Sequence, residues 1–336
     1  MDLAERWLKE KGVKVYREIN QGLPMLVALL PGKGRFRNPR IMFNGHVDVV
    51  PGKPEQFEPH ENDGKLFGRG AYDMLAALAV MMSCIGKRAG DPPECGLGLM
   101  LVPSEETAGE IGTQYLLKKG YGCEFAICGE PTNLGIGIEA KGILQIEIDV
   151  QGKACHGSRP WEGANAIEKA MAVYSSINKL PFTRERTESY PGPSTNLARI
   201  SSGDALNRVP DRCTFALDIR YLPNQRSEAI LEQIKSVTQG AAVRIVNLGM
   251  PVSVSKDDPH VRRLGECIAQ VCRCAPNFIS QHGSADTRFF AEAGIPAVEF
   301  GPVGANHHGD HEYVEIRSLW TFERILEQFI KREDSI

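Results

Sequence analysis

Ile41-Met42-Phe43-Asn44-Gly45-His46-Val47-Asp48 sets the terms for the whole chain. Three consecutive apolar residues read as a strand buried on both faces, the pattern of a parallel strand inside an α/β sheet. The chain then turns polar at once, with an imidazole and a carboxylate two residues apart. The same event recurs three times. Apolar residues 97–102 run into Pro103-Ser104-Glu105-Glu106. Residues 125–128 run into Gly129-Glu130-Pro131-Thr132, and residues 297–300 into Gly301-Pro302 and then Asn306-His307-His308. In open α/β sheets ligands bind beyond the carboxyl ends of the strands. Four strand ends therefore aim His, Glu, Glu and His at one crevice, and Asp73, at the start of a helix expected over 74–87, adds a fifth group.

Further helical patterns fall at 107–119, which ends at Gly120, and at 259–271 and 318–331. Strands alternating with helices predict an α/β domain with a mixed, mostly parallel sheet flanked by helices. The middle of the chain has another rhythm. Leu144, Ile146, Ile148 and Val150 alternate with Gln145, Glu147 and Asp149, the mark of a half-solvated antiparallel strand. A helix over 164–178, strands over 196–200 and 213–221, a helix over 227–238 and a strand over 242–248 follow, giving the order β-α-β-β-α-β of a ferredoxin-like unit. Residues 142–250 thus read as a small α+β domain inserted into an α/β domain built from 1–141 and 251–336.

Composition narrows the function. With 39 basic against 42 acidic residues and a net charge of -3 among 336 residues, the basic excess of a nucleic-acid binder is missing. No apolar run reaches the roughly 18 residues of a membrane span, and the acidic, amphipathic opening is not a signal peptide. Nine cysteines, an odd number without a C-x-x-C pair, read as reduced thiols in a cytoplasmic protein. G-x-S-x-G, G-x-x-x-x-G-K-[ST] and a strand followed by G-x-G-x-x-G are all missing, which sets aside serine hydrolases and nucleotide-dependent enzymes.

Carboxylates and imidazoles converging in one crevice repel or stay unsatisfied without a cation. Two divalent ions solve the problem. Nitrogen and oxygen donors without thiolate suit zinc, with cobalt or manganese as substitutes, and ions about 3.5–4 Å apart polarise an amide carbonyl and share a water. Taken one at a time, the residues have plainer readings. His46 and Asp48 could be a buried hydrogen-bonded pair, Glu105-Glu106 a solvated helix start, Glu130 a turn residue, and Arg220 a structural ion-pair partner.

Taken in order, residues 45–52, 68–74, 103–113, 129–132, 152–160 and 301–314 resemble the co-catalytic zinc peptidases and deacylases, the family of succinyl-diaminopimelate desuccinylase, acetylornithine deacetylase, aminoacylase and glutamate carboxypeptidases. The resemblance implies two zinc ions held by His46, Asp73, Glu106, Glu130 and His308, with Asp73 bridging. His308 is preferred to His307 because Glu312 follows four residues on. Glu105 is implied as general base, and Asp48 as the residue orienting the His46 imidazole. A cis peptide is implied at Asp73-Met74. The inserted domain resembles a dimerisation domain in which His156 reaches the partner protomer's site to stabilise the oxyanion. Asn207, Arg208 and Arg220 match positions that hold a substrate carboxylate, and Ser284 lies in a family-like segment over 283–288.

The chain departs from the family in two places. Asp73-Met74-Leu75-Ala76-Ala77 stands where many members have D-M-K-G-G, and the family's extra N-terminal helix before residues 3–12 is missing, so the chain reads as starting late. Residues 283–288 and 301–308 look most like the desuccinylase branch. The expectation is a homodimeric amide hydrolase removing an N-acyl group from an amino acid such as N-succinyl-diaminopimelate. Alternatives are an acetylornithine or acetyl-lysine deacetylase, a di- or tripeptidase, and, in another class, a non-catalytic metal-binding homologue.

Overall fold

A computed structural model of the chain describes residues 1–33, 38–107 and 109–335. The chain divides into two compact units, one of residues 1–139, 252–279 and 285–336, the other of residues 140–251 and 280–284. The second spans residues 142–250 and takes in residues 280–284, Ser284 among them.

The first unit is built on a nine-stranded mixed sheet. Its spatial order is Lys14–Asn20, Leu23–Leu30, Leu97–Val102, Ile41–His46, Phe125–Cys128, Ala297–Glu299, Ile136–Ala140 and Val252–Ser253, with Phe278–Gln281 also pairing with Ile136–Ala140. The four strands expected to be parallel lie side by side at its centre, and their contacts are parallel. Each sends alternate residues to opposite faces, and both faces are covered. Ile41, Phe43, Leu97, Leu99, Leu101, Phe125 and Ile127 enter one core, while Met42, Met100, Val102, Ala126 and Cys128 enter the other. Burial on both sides explains why these strands read as unbroken apolar runs. Helices Ala76–Lys87, Pro259–Cys272 and Ile316–Asp334 pack on the first face, and Thr287–Glu292 on the second.

The parallel register brings the strand ends level. His46 lies opposite Val102, Asn44 opposite Cys128, and Cys128 opposite Glu299. The polar residues that follow each strand therefore leave the sheet along one edge.

The second unit is an antiparallel four-stranded sheet in the order Ser194–Ser202, Arg212–Tyr221, Gly142–Gln151, Ala242–Gly249. Helices Ala166–Ile177 and Ser227–Val237 cover one face. Leu144, Ile146, Ile148 and Val150 point into that core with Phe215, Leu217, Ile230 and Ile234. On the opposite face Glu147 pairs with Arg199 and Arg244, and Asp149 with Arg212. The β-α-β-β-α-β order and this strand arrangement are those of a ferredoxin-like unit.

The structure departs from expectation in two stretches of the first unit. The helix expected from residue 74 begins at Ala76, because Asp73 and Met74 hold non-helical backbone angles within a tight turn, Ala71–Leu75. The Asp73-Met74 peptide is cis, as the resemblance implied. The helix expected over 107–119 is instead a short 3-10 turn, Glu105–Thr107, a wide turn, Glu110–Gln114, and one turn of helix, Tyr115–Lys118. Gly109 there has φ of 73°, and a Cβ on Gly112 would fall 2.8 Å from the Val102 side chain, so the chain lies against the strand it has just left. Ala108, inside that expected helix, lies outside the described residues. Helix Asp2–Glu10, hairpin Lys14–Leu30 and a small sheet of His60–Asn62, Lys65–Phe67, Tyr313–Glu315 and Gly304–Ala305 complete the unit.

Glu333, fully buried near the end of the last helix, accepts hydrogen bonds from Arg263 at 2.5 and 3.2 Å and faces His260 Nδ1 at 3.0 Å. Burial alone would raise its carboxyl. The hydrogen bonds from His260 and Arg263 outweigh burial and hold it below its usual value. Such a carboxyl stabilises the fold above its unfolded-state pKa and ceases to do so as pH falls through the folded one. Glu333→Gln is expected to lower the unfolding free energy by about 2–4 kcal/mol at neutral pH, with the gap from wild type narrowing in acid. Urea unfolding across pH measures this, and a gap independent of pH contradicts it.

Candidate active site

Asp73 sits at the centre. Its two carboxylate oxygens face two different imidazoles: Oδ1 is 3.1 Å from His46 Nε2, and Oδ2 is 3.2 Å from His308 Nε2. Each imidazole has further carboxylates beside it. His46 Nε2 lies 4.0 Å from Glu130 and 4.0 Å from Glu105, and His308 Nε2 lies 3.1 Å from Glu106 Oε1. Donor atoms of His46, Asp73 and Glu106 all fall within 4.8 Å of one another. Of the residues singled out from sequence, the structure thus gathers His46, Asp73, Glu105, Glu106, Glu130 and His308. His308, rather than its neighbour His307, reaches Asp73 and Glu106.

Local structure explains each placement. His46 ends the buried strand Ile41–His46, and its Nδ1 is 2.8 Å from the main-chain carbonyl of Asp48. That bond fixes the ring so that Nε2 faces Asp73. The Asp48 carboxylate was expected to make this contact, but it stands 3.7 Å away and accepts instead from the backbone amides of Glu105 and Glu106 at 3.2 and 3.1 Å. A carboxylate satisfies the open amides of a helical turn's start well, and a carbonyl two residues along is better placed for the ring. Asp48 therefore ties the His46 strand to the Glu105-Glu106 turn.

The electrostatics are those of a site short of positive charge. Burial pushes the Glu105 carboxyl up to about 8, with Asp286 adding to the rise. Burial also raises Glu130 far above its usual value, and burial with Asp73 raises Glu106. His46 moves the opposite way from a buried imidazole: burial would lower it, yet Asp73, Glu130 and Glu105 together hold it protonated well above its usual value. Burial would raise Asp73, and His46 and His308 keep it low. Each of these rises favours added positive charge at the cluster. The donor set, all nitrogen and oxygen and split into two groups around Asp73, fits two divalent ions.

The remaining residues picked out from sequence lie in the second unit. His156 Nδ1 is 2.8 Å from Ser158 Oγ, and the His156 backbone pairs with that of Arg208 in an isolated β-bridge, beside which the amide of Gly157 donates to the carbonyl of Asn207. The Arg220 guanidinium donates to Asp218 from Nε at 2.9 Å and Nη2 at 3.2 Å. The buried Ser284 hydroxyl has no hydrogen-bond partner among the described residues.

Sequence reading missed a layer behind the site. Glu312, noticed only as a register marker for His308, is buried and accepts from the amides of Gly70, Tyr72 and Asp73 and from Arg69. Asn44 donates to Thr113 Oγ1 at 2.8 Å, and Thr113 donates to the buried Asp286 at 2.6 Å. Asn44 carried a signal, since a polar side chain in an apolar strand demands a partner. Glu312 carried almost none, because three of its four partners are main-chain amides.

The sequence model for "Peptidase family M20/M25/M40" matches residues 42–332. A succinyl-diaminopimelate desuccinylase from Gluconacetobacter diazotrophicus is 29% identical over 92% of this chain and 84% of its own length. Among solved structures, aminopeptidase PepT from Bacillus cereus superposes with a TM-score of 0.82 at 21% identity, covering 100% of this chain and 92% of that one. The YXEP protein of Bacillus subtilis, described as a dinuclear metal binding peptidase of the M20 family, superposes with a TM-score of 0.73 at 16% identity, covering 100% and 92%. No helix among the described residues is long and apolar enough to cross a membrane.

The raised Glu105 carboxyl has a consequence for stability. A carboxyl whose folded pKa lies above its unfolded one costs nothing below the unfolded value, and costs more as pH rises towards the folded value. Glu105→Gln removes that cost, so the metal-free variant should be more stable than metal-free wild type by roughly 1–3 kcal/mol at pH near 8, with the difference fading in acid. Thermal unfolding in chelator at several pH values checks this. A variant less stable than wild type near pH 8 contradicts it.

Proposed function

The chain belongs to peptidase family M20/M25/M40, hydrolases of amide bonds in amino-acid and peptide substrates, and on that premise we propose that it is a two-zinc deacylase of N-acyl amino acids, closest in substrate to succinyl-diaminopimelate desuccinylase. One observation carries the reading: the two oxygens of Asp73 are divided between His46 and His308 at nearly equal distance. His46 and Glu130 would hold one ion, His308 and Glu106 the other, and Asp73 both. Cobalt or manganese would fit the same donors.

Zinc bound there supplies Lewis acidity to the scissile carbonyl and lowers the pKa of water beside it. The chain's own groups do the rest. Glu105, buried and with its carboxyl already disposed to hold a proton, takes one from the attacking water and passes it to the departing amine nitrogen. His156, presented from a partner protomer in a dimer formed through residues 142–250, donates to the oxyanion. Asn207, Arg220 and Ser284 orient the substrate; the Ser284 hydroxyl has no partner among the described residues, and Arg220 already shares its guanidinium with Asp218. The desuccinylase preference is supported by the relatives of that name at 25–29% identity. Nine unpaired cysteines support work in a reducing compartment such as the cytoplasm.

Two outcomes are expected. Zinc-loaded protein should hydrolyse N-succinyl-diaminopimelate in preference to N-acetylornithine and a tripeptide in a turnover assay; cleavage of the tripeptide alone contradicts the substrate assignment. Glu105→Gln should keep its zinc by elemental analysis and lose at least about 100-fold in kcat. A variant that retains zinc and turns over normally removes Glu105 from the role of base.

A further inference from the structure

Behind the two imidazoles lies a buried ion pair that the chemistry above leaves unexplained. Glu312 Oε1 accepts from the amides of Tyr72 and Asp73, each at 3.0 Å. Its Oε2 accepts from the amide of Gly70 at 3.1 Å and from Arg69 Nη1 at 2.7 Å. A carboxylate has about four acceptor sites, and all four are engaged. Arg69 in turn reaches the loop on the other side of the site: its Nη2 is 3.4 Å from the main-chain oxygen of His308. Gln56 braces the same two segments, accepting the Arg69 amide at its carbonyl and donating to the Gly309 carbonyl at 3.0 Å. There is no slack beside it, since a Cβ on Gly52 would fall 2.8 Å from Gln56 Oε1 and 3.3 Å from Arg69 Nε.

The two imidazoles differ in how the fold supports them. His46 ends a central strand in register with Val102, and its ring is tied to the Asp48 carbonyl. His308 stands on a loop, half-exposed, with φ of 62° in the left-handed region, and Asn306 has φ of 61°. A non-glycine backbone held there needs support from its surroundings. An ion pair with both side chains this deeply buried is a poor investment in stability alone, since desolvation cancels most of the attraction. Its distinguishing property is geometric, because it joins the Asp73 turn to the His308 loop.

We infer that Arg69 and Glu312 are positioning residues that fix the reach from Asp73 to His308, and so set the affinity for the second cation, the one facing His308 and Glu106. This rests on the two-cation reading above. Arg69→Lys keeps the charge against Glu312 but not the two-ended fork that also reaches the His308 carbonyl.

Titration calorimetry of the metal-stripped full chain with zinc chloride tests the inference without reference to turnover. Wild type should take up two ions. In Arg69→Lys the second should bind about tenfold more weakly or worse, while the first stays within about threefold of wild type. Glu312→Gln should show the same order of effects; if circular dichroism shows that it does not fold, Arg69→Lys decides the matter alone. Two ions held as tightly as in wild type, or both weakened equally, overturn the inference. A wild-type chain that takes up no zinc sinks the two-cation reading, and this inference with it.

Discussion

Negative charge gathered where water is scarce is the constraint on which the rest of the structure depends. Asp73, Glu105, Glu106 and Glu130 converge on one small volume with two imidazoles among them, and Asp48 and Asp286 stand close behind. Carboxylates do not assemble this way for stability, because each loses hydration and repels the others. Without a cation, burial and mutual repulsion push the Glu105 and Glu130 carboxyls up, and the surrounding carboxylates push the His46 imidazole up. Divalent ions answer the same demand and bring reactivity with them.

The scaffold meets the cost with rigidity. Four parallel strands in fixed register deliver the acidic turns to one edge of the sheet, and both faces of those strands are sealed by apolar side chains. Around that edge, hydrogen bonds between loop and loop replace sheet pairing. Asp48 caps the Glu105-Glu106 amides, Thr113 links Asn44 to Asp286, and Glu312 gathers the amides around Asp73. Each contact spans many residues of sequence, so the site exists only in the folded chain.

That division also explains what could be read from the sequence. The central strands were legible because burial on both faces writes an unbroken apolar run, and the inserted unit because burial on one face writes an alternation from Leu144 to Val150. The residues gathered at the site were legible because acids and histidines placed at strand ends have few structural uses. The turns were not. Residues 107–119 read as one helix, yet Gly109, Gly112 and the hydrogen bond from Thr113 to Asp286 accompany a 3-10 turn, Glu105–Thr107, a wide turn, Glu110–Gln114, and a single helical turn, Tyr115–Lys118. The small sheet around Tyr313 went unread because its strands are only two or three residues long, whereas the hairpin Lys14–Leu30 carried a local signal that was passed over, the two-residue turn Gln21-Gly22 with both residues at positive φ. Asp48 and Glu312 were misjudged for one shared reason: they bind main-chain amides, and backbone partners leave no mark in a sequence.

The most direct test is anomalous diffraction at the zinc absorption edge from crystals of the full chain grown with zinc. Two peaks about 3.5–4 Å apart are expected, one beside His46 and Glu130, the other beside His308 and Glu106, each touching a different oxygen of Asp73. A single peak, or density at neither imidazole, would contradict the central claim that this acidic cluster is built to hold a pair of cations.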